Sequence, residues 1–165
     1  AISASFSGDT VLVADGVYTG AGNKDLNYSG RAIAVMSANG PENCIIDMEN
    51  SGRAVTFNSG ETRQAVFKGF TICRGDVGID QGGGILIENS SPTIERCIIT
   101  DNRTTGTGHK GAGIMASFGA PAIVNCTFYN NHADEGNVAR GGGICIYYSD
   151  VLLNSCIFTN NFGAT

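Results

Sequence analysis

Apolar residues in this chain fall at alternate positions in short runs, the period of a strand. Val11/Val13, Ile85/Ile87 and Ile144/Ile146 are examples. Gly, Asn, Ser and Asp punctuate the runs. No stretch keeps a helical period; only residues 1–6 suit the tail of a short helix. The runs also recur. Gly82-Gly83-Gly84-Ile85, Gly111-Ala112-Gly113-Ile114 and Gly141-Gly142-Gly143-Ile144 repeat at steps of 29 and 30 residues. Each Gly-Ile glycine is followed thirteen residues later by a cysteine in matching surroundings: Arg96-Cys97-Ile98-Ile99-Thr100-Asp101-Asn102, Asn125-Cys126-Thr127-Phe128-Tyr129-Asn130-Asn131 and Ser155-Cys156-Ile157-Phe158-Thr159-Asn160-Asn161. A fixed period of this kind means one structural unit stacked on copies of itself.

Two or three short strands per repeat, with no helix between them, predict a coil. Each strand pairs in parallel with the same strand one turn later, so the backbone groups of middle turns find partners in their neighbours. The expected fold is all-β, a single-stranded parallel β-helix (solenoid) of about six coils. Coil one spans 10–30, coil two starts at Arg31, coil three at Arg53, and coils four to six open at the three Gly-Ile lines. Stacking predicts side-chain columns at a spacing of roughly 4.8 Å. Cys44, Phe70, Cys97, Cys126 and Cys156 form one inward column, and Ile46, Ile72, Ile99, Phe128 and Phe158 the next. Asn102, Asn131 and Asn161 form a turn column whose amides bond up and down the stack. The glycines before each Ile are expected to supply backbone angles that other residues resist.

The six cysteines fit a packed thiol column better than disulfides, because stacked positions lie farther apart than bridged β-carbons. Cys73 and Cys145 fall outside the column and are expected outward or in a turn. No Cys-x-x-Cys pair occurs, so the spacing offers no zinc site.

The 165 residues suit one domain, 1–165, with 24 glycines and only three prolines but no collagen period. Residues 1–9 read as the remnant of an N-terminal cap and 10–165 as coils. The start without Met and the stop inside a repeat suggest a piece of a longer chain. A net charge of −5 with dispersed Lys and Arg argues against nucleic acid as a partner. No apolar run is long enough for a membrane-spanning helix.

The residues Gly8-Asp9-Thr10-Val11-Leu12-Val13-Ala14-Asp15-Gly16-Val17-Tyr18, Asn39-Gly40-Pro41-Glu42-Asn43-Cys44-Ile45-Ile46-Asp47 and Gly69-Phe70-Thr71-Ile72 resemble the opening coils of right-handed parallel β-helix repeat proteins of the pectate-lyase-like superfamily. The resemblance covers nearly the whole chain. It implies a right-handed coil, an N-terminal capping helix, and an extracellular or cell-surface bacterial setting. That fold hosts lyases, hydrolases, adhesins and passive surface proteins, so function has to be argued from a site.

The longest polar segments are 74–82, 103–111 and 132–141, at equivalent places in successive coils. They gather Arg74, Asp76, Asp80, Arg103, His109, Lys110, His132, Asp134, Glu135 and Arg140 along one expected edge. Such an edge suits an extended polysaccharide, with His109 or His132 as a base near neutral pH. Lyase chemistry on a uronate needs a cation beside the carboxylate, for which Arg103, Lys110 and Arg140 are available, and hydrolysis needs two carboxylates. No run matches a family catalytic motif, so no catalytic residue is assigned. No cofactor is expected, Asp134 and Glu135 giving only a weak signal for Ca²⁺. Arg74-Gly75-Asp76 is an integrin-type tripeptide on an expected exposed turn. The leading expectation is a structural or carbohydrate-binding surface module, and the alternative is a polysaccharide lyase or glycoside hydrolase. The open last coil predicts end-to-end self-association or further coils.

Overall fold

The computed structural model describes residues 1–105, 110–134 and 140–163. A single 3-10 turn, Ile2–Ala4, precedes the first strand. The chain then winds as a parallel solenoid with three faces. The first face stacks Thr10–Val13, Ala34–Ser37, Val66–Lys68, Thr93–Glu95, Ala122–Val124 and Leu152–Asn154. The second stacks Gly16–Tyr18, Cys44–Asp47, Thr71–Cys73, Ile98–Thr100, Thr127–Tyr129 and Ile157–Thr159. The third stacks Leu26–Asn27, Val55–Phe57, Ile85–Glu88, Ile114–Ser117 and Ile144–Tyr147. The described residues thus make five complete turns and the first two faces of a sixth. Two narrow ribbons flank the loops. One pairs Arg103–Thr104, His132–Ala133 and Phe162–Gly163; the other pairs Lys110–Gly111 with Arg140–Gly141.

The expected columns are present residue for residue. Ile46 is registered with Ile72, Ile72 with Ile99, Ile99 with Phe128, and Phe128 with Phe158. The rings of Phe128 and Phe158 lie 4.5 Å apart and nearly parallel. Cys44, Phe70, Cys97 and Cys126 are buried in the adjacent column, and all six thiols are free. The core is therefore a stack of layers, each completed by the next turn. Each fully buried Ile or Phe contributes about 1.5–3 kcal/mol of transfer free energy.

Two expectations need correction. Ala34–Ser37 belongs to the first face, between Thr10–Val13 and Val66–Lys68. The turn before Val55–Phe57 is Leu26–Asn27, so Arg31 and Arg53 do not open equivalent coils. The early turns lack the Gly-Ile line and differ in length, which left the register unmarked. Cys145 points outward between the inward residues Ile144 and Ile146, as expected, and it is buried because the Lys110–Gly111 and Arg140–Gly141 ribbon packs over its strand. The glycine lines, finally, are set mainly by contact rather than by φ. Within them only Gly82 has a positive φ, of 69°. A Cβ on Gly83 would lie 2.6 Å from the Ala112 and Arg103 oxygens. One on Gly113 would overlap the carbonyl of Gly143 in the turn above.

Left-handed residues make the corners instead. Gly69, Arg96, Asn125 and Ser155 turn the chain from the first face to the second, and Arg74, Asp101, Asn130 and Asn160 turn it off the second. Next comes the asparagine ladder. Asn102 Nδ2 donates to Asn131 Oδ1 at 2.9 Å, and Asn131 Nδ2 donates to Asn161 Oδ1 at 2.8 Å. Asn102 and Asn131 are fully buried, so these bonds keep polar groups satisfied inside the stack. Near another corner the buried carboxylate of Glu61 accepts from the N–H groups of Gly30 and Ser59 and from the Ser90 hydroxyl. Burial alone would raise its pKa; those donors hold it below the usual carboxylate value.

Candidate functional site

Immediately past the asparagine ladder the chain runs outward as the first ribbon. Backbone pairing sets Asp76 beside Arg103, Arg103 beside His132, and His132 beside Phe162. Four side chains of different chemistry thus form one column, one per turn. The His132 and Phe162 rings stack with centroids 4.6 Å apart. Arg103 Nε and His132 Nδ1 both reach the Asp134 carboxylate, the histidine at 2.8 Å. Burial would raise the Asp134 carboxyl, but the His132 and Arg103 contacts hold its pKa below the ordinary range. Beside this triplet lies a cleft of about 220 Å³, lined by Asp101, Asn102, Arg103, Asn130 and His132. A larger cavity of about 490 Å³ opens at the start of the solenoid. It is the N-terminal mouth of the core, between Val11, Val13, Tyr18, Leu26 and the turn at Ile2.

The other sequence-derived candidates separate from this cluster. Arg74 clasps Asp47 on the previous turn, donating from Nε to Oδ1 at 2.8 Å and from Nη2 to Oδ2. That hydrogen bonding holds the Asp47 pKa below its usual value. Asp80 pairs with the buried Arg53 guanidinium. Burial pushes the Asp80 carboxyl up, while the Gln81 N–H and Arg53 bring it below the carboxylate norm. Lys110 is buried, its ammonium donating to the carbonyls of Ile79 and Asp80. Asp76 Oδ1 accepts from the Gly78 N–H at 2.9 Å. The Arg74-Gly75-Asp76 tripeptide is only partly exposed: Arg74 lies at the surface but is engaged by Asp47, Gly75 is buried against Gly83, and Asp76 is half-buried and bridged to both neighbouring turns. His109 and Glu135 lie outside the described residues, as does the side chain of Arg140. Among the described residues no group of three His, Cys, Asp or Glu side chains is placed to hold a metal ion.

Sequence reasoning passed over Asp101 and Asn130, which line the cleft. Their signal was present in the repeated Asp-Asn and Asn-Asn pairs. The second residue of each pair goes into the ladder, so the first must turn the corner and face solvent.

The model of one family, described as right handed beta helix region, matches residues 8–165. The chain belongs to this family. The match begins two residues before the first strand and runs through every turn of the β-helix. No curated protein and no solved structure matches the chain. What distinguishes this β-helix must therefore come from its own surface. On its polar edge the Arg103–Asp134–His132 triplet is the place where charge, an aromatic stack and a cleft coincide.

Proposed function

We propose that this β-helix is a secreted or cell-surface bacterial module of the pectate-lyase-like type that binds polysaccharide along the Asp76–Arg103–His132–Phe162 column. The observation that carries the reading is that column itself. It offers a contact point on each of four successive turns beside an open cleft, so a chain of repeating rings laid along that part of the solenoid meets one side chain per turn. Arg103 suits a uronate carboxylate, and the His132–Phe162 stack suits the face of a sugar ring. Affinity electrophoresis against polygalacturonate tests it. Retardation of the native chain, weakened about tenfold by Arg103→Ala or His132→Ala, is the expected result. Free migration of the native chain in acidic and neutral polysaccharide gels alike would overturn it.

One observation favours a second reading, a polysaccharide lyase. His132 is oriented by a carboxylate at 2.8 Å with a guanidinium on the same carboxylate, the grouping of a positioned base beside a cation. Release of unsaturated ends by the native chain, lost in His132→Ala, would replace binding with catalysis. Self-association is a further part of the proposal. Among the described residues the Leu152–Asn154 and Ile157–Thr159 strands each pair on one side only, which suits end-to-end stacking of chains. A sedimentation coefficient that does not change with concentration would remove the stacking of chains.

A further inference from the structure

The corner after the third face carries a feature that the fold does not require. Asn89, Phe118 and Tyr148 occupy it on successive turns, all left-handed, with φ of 50°, 52° and 46°. Asparagine adopts this conformation at little cost, whereas a bulky aromatic residue does so rarely. Burial does not compensate. Phe118 is 51% exposed and Tyr148 is 75% exposed. The open end of the solenoid does not explain Phe118, because it sits one turn inside and already has Tyr148 above it. The Phe118 and Tyr148 rings are stacked, with centroids 5.7 Å apart and planes 13° apart. Tyr147 stands edge-on to both, at 5.6 and 4.5 Å. The three rings thus make one continuous aromatic surface in solvent, held on rigid strand ends. Exposed polar side chains border it: Glu88 and Asn89 one turn below Phe118, and Asp150 just past Tyr148.

We propose that the Phe118–Tyr147–Tyr148 corner is a second binding site, for the ring faces of a neutral polysaccharide. Aromatic faces are electron-rich and attract the C–H groups that line one side of a pyranose ring. Rigid aromatic side chains also give contact area at low conformational cost. Asn89, Glu88 and Asp150 can hydrogen-bond hydroxyl groups. The two carboxylates repel polyanions, so this corner selects against the uronates that suit Arg103 and against single-stranded nucleic acid. The site stands independently of the polar edge.

Hydroxyethyl cellulose is the probe, read by affinity electrophoresis and by the change in tyrosine fluorescence, the chain having no tryptophan. Retardation of the native chain is expected, reduced at least tenfold in Tyr148→Ala and in Phe118→Asn, and unchanged in Arg103→Ala. Phe118→Asn places the residue of the turn below into the same backbone conformation, so its unfolding midpoint should equal or exceed that of the native chain. Unretarded native chain, binding that survives both aromatic substitutions, or a lower midpoint in Phe118→Asn would each overturn the proposal. Loss of polygalacturonate binding in Arg103→Ala reports on the polar edge alone.

Discussion

The fifth and sixth turns carry the same line of sequence and end in different environments. Phe128 and Phe158 occupy one column and stack on each other, yet the first is fully buried and the second is 43% exposed. Cys126 is buried and Cys156 only half so. Asn131 bonds to turns on both sides, while Asn161 donates back to the Phe128 carbonyl and accepts from Asn131. The contrast teaches that the repeat encodes a capacity for burial, which only the following turn converts into stability. In a solenoid the energetic unit is the interface between turns.

The sharpest way to break this comparison is to truncate the two rings. Phe128→Ala should destabilise by about 3–5 kcal/mol, the range for a fully buried aromatic, and Phe158→Ala by less than half as much. Urea denaturation measures both, and equal losses would mean that burial by the next turn is not what matters. A smaller effect is expected in the ladder. Asn131→Ala removes a donor to the Ile99 carbonyl and the acceptor shared by the Asn102 side-chain amide and backbone N–H, and the buried N–H so orphaned costs about 1–3 kcal/mol. Asn161→Ala, at the half-buried end, should cost less in the same assay.

Carboxylates sharpen the contrast by pH. The folded-state pKa values of Glu61, Asp47, Asp80 and Asp134 lie below their usual values. The unfolded chain therefore binds more protons, and this part of the stability is present above the ordinary carboxylate pKa and is lost as pH falls through the lowered values. Glu61, held by backbone donors inside the stack, should matter more than Asp134 on the edge. Glu61→Gln is expected to flatten the acid limb of a stability–pH curve measurably more than Asp134→Asn does. The smallest effect is kinetic. Burial pushes the Cys73 thiol up to about 11 and raises Cys156 as well, so iodoacetamide at pH 8 should label both slowly. Peptide mass spectrometry should find Cys156 and Cys73 modified before Cys97 and Cys126, which need an opened core.

The sequence made the later turns legible because each carries its own markers. The Gly-Ile lines, the cysteines and the paired asparagines fix the register from Ile85 onward, and all three columns could be named from them. The early turns carry no Gly-Ile line, so Arg31 and Arg53 were both read as coil openings although they lead into different faces. The polar edge was legible as a set of loops but not as a set of contacts. Lys110 read as an available cation and Arg74 as part of the loop edge, yet each meets an acceptor from a neighbouring turn, a pairing that depends on loop path rather than on period. The aromatic corner was hidden for the opposite reason. Phe118 and Tyr148 look like core residues in a pattern of alternating apolar positions, and only the left-handed backbone at the strand end turns them outward.

The packing at Gly113 bears on how such a chain can grow. A methyl group there would strike the Gly143 carbonyl of the next repeat, so a lone substitution disturbs two layers together. A tandem copy of one entire repeat brings its own matching glycine and inherits a ready-made fit. Lineages of this protein should therefore differ by whole units far more readily than by single changes along that seam.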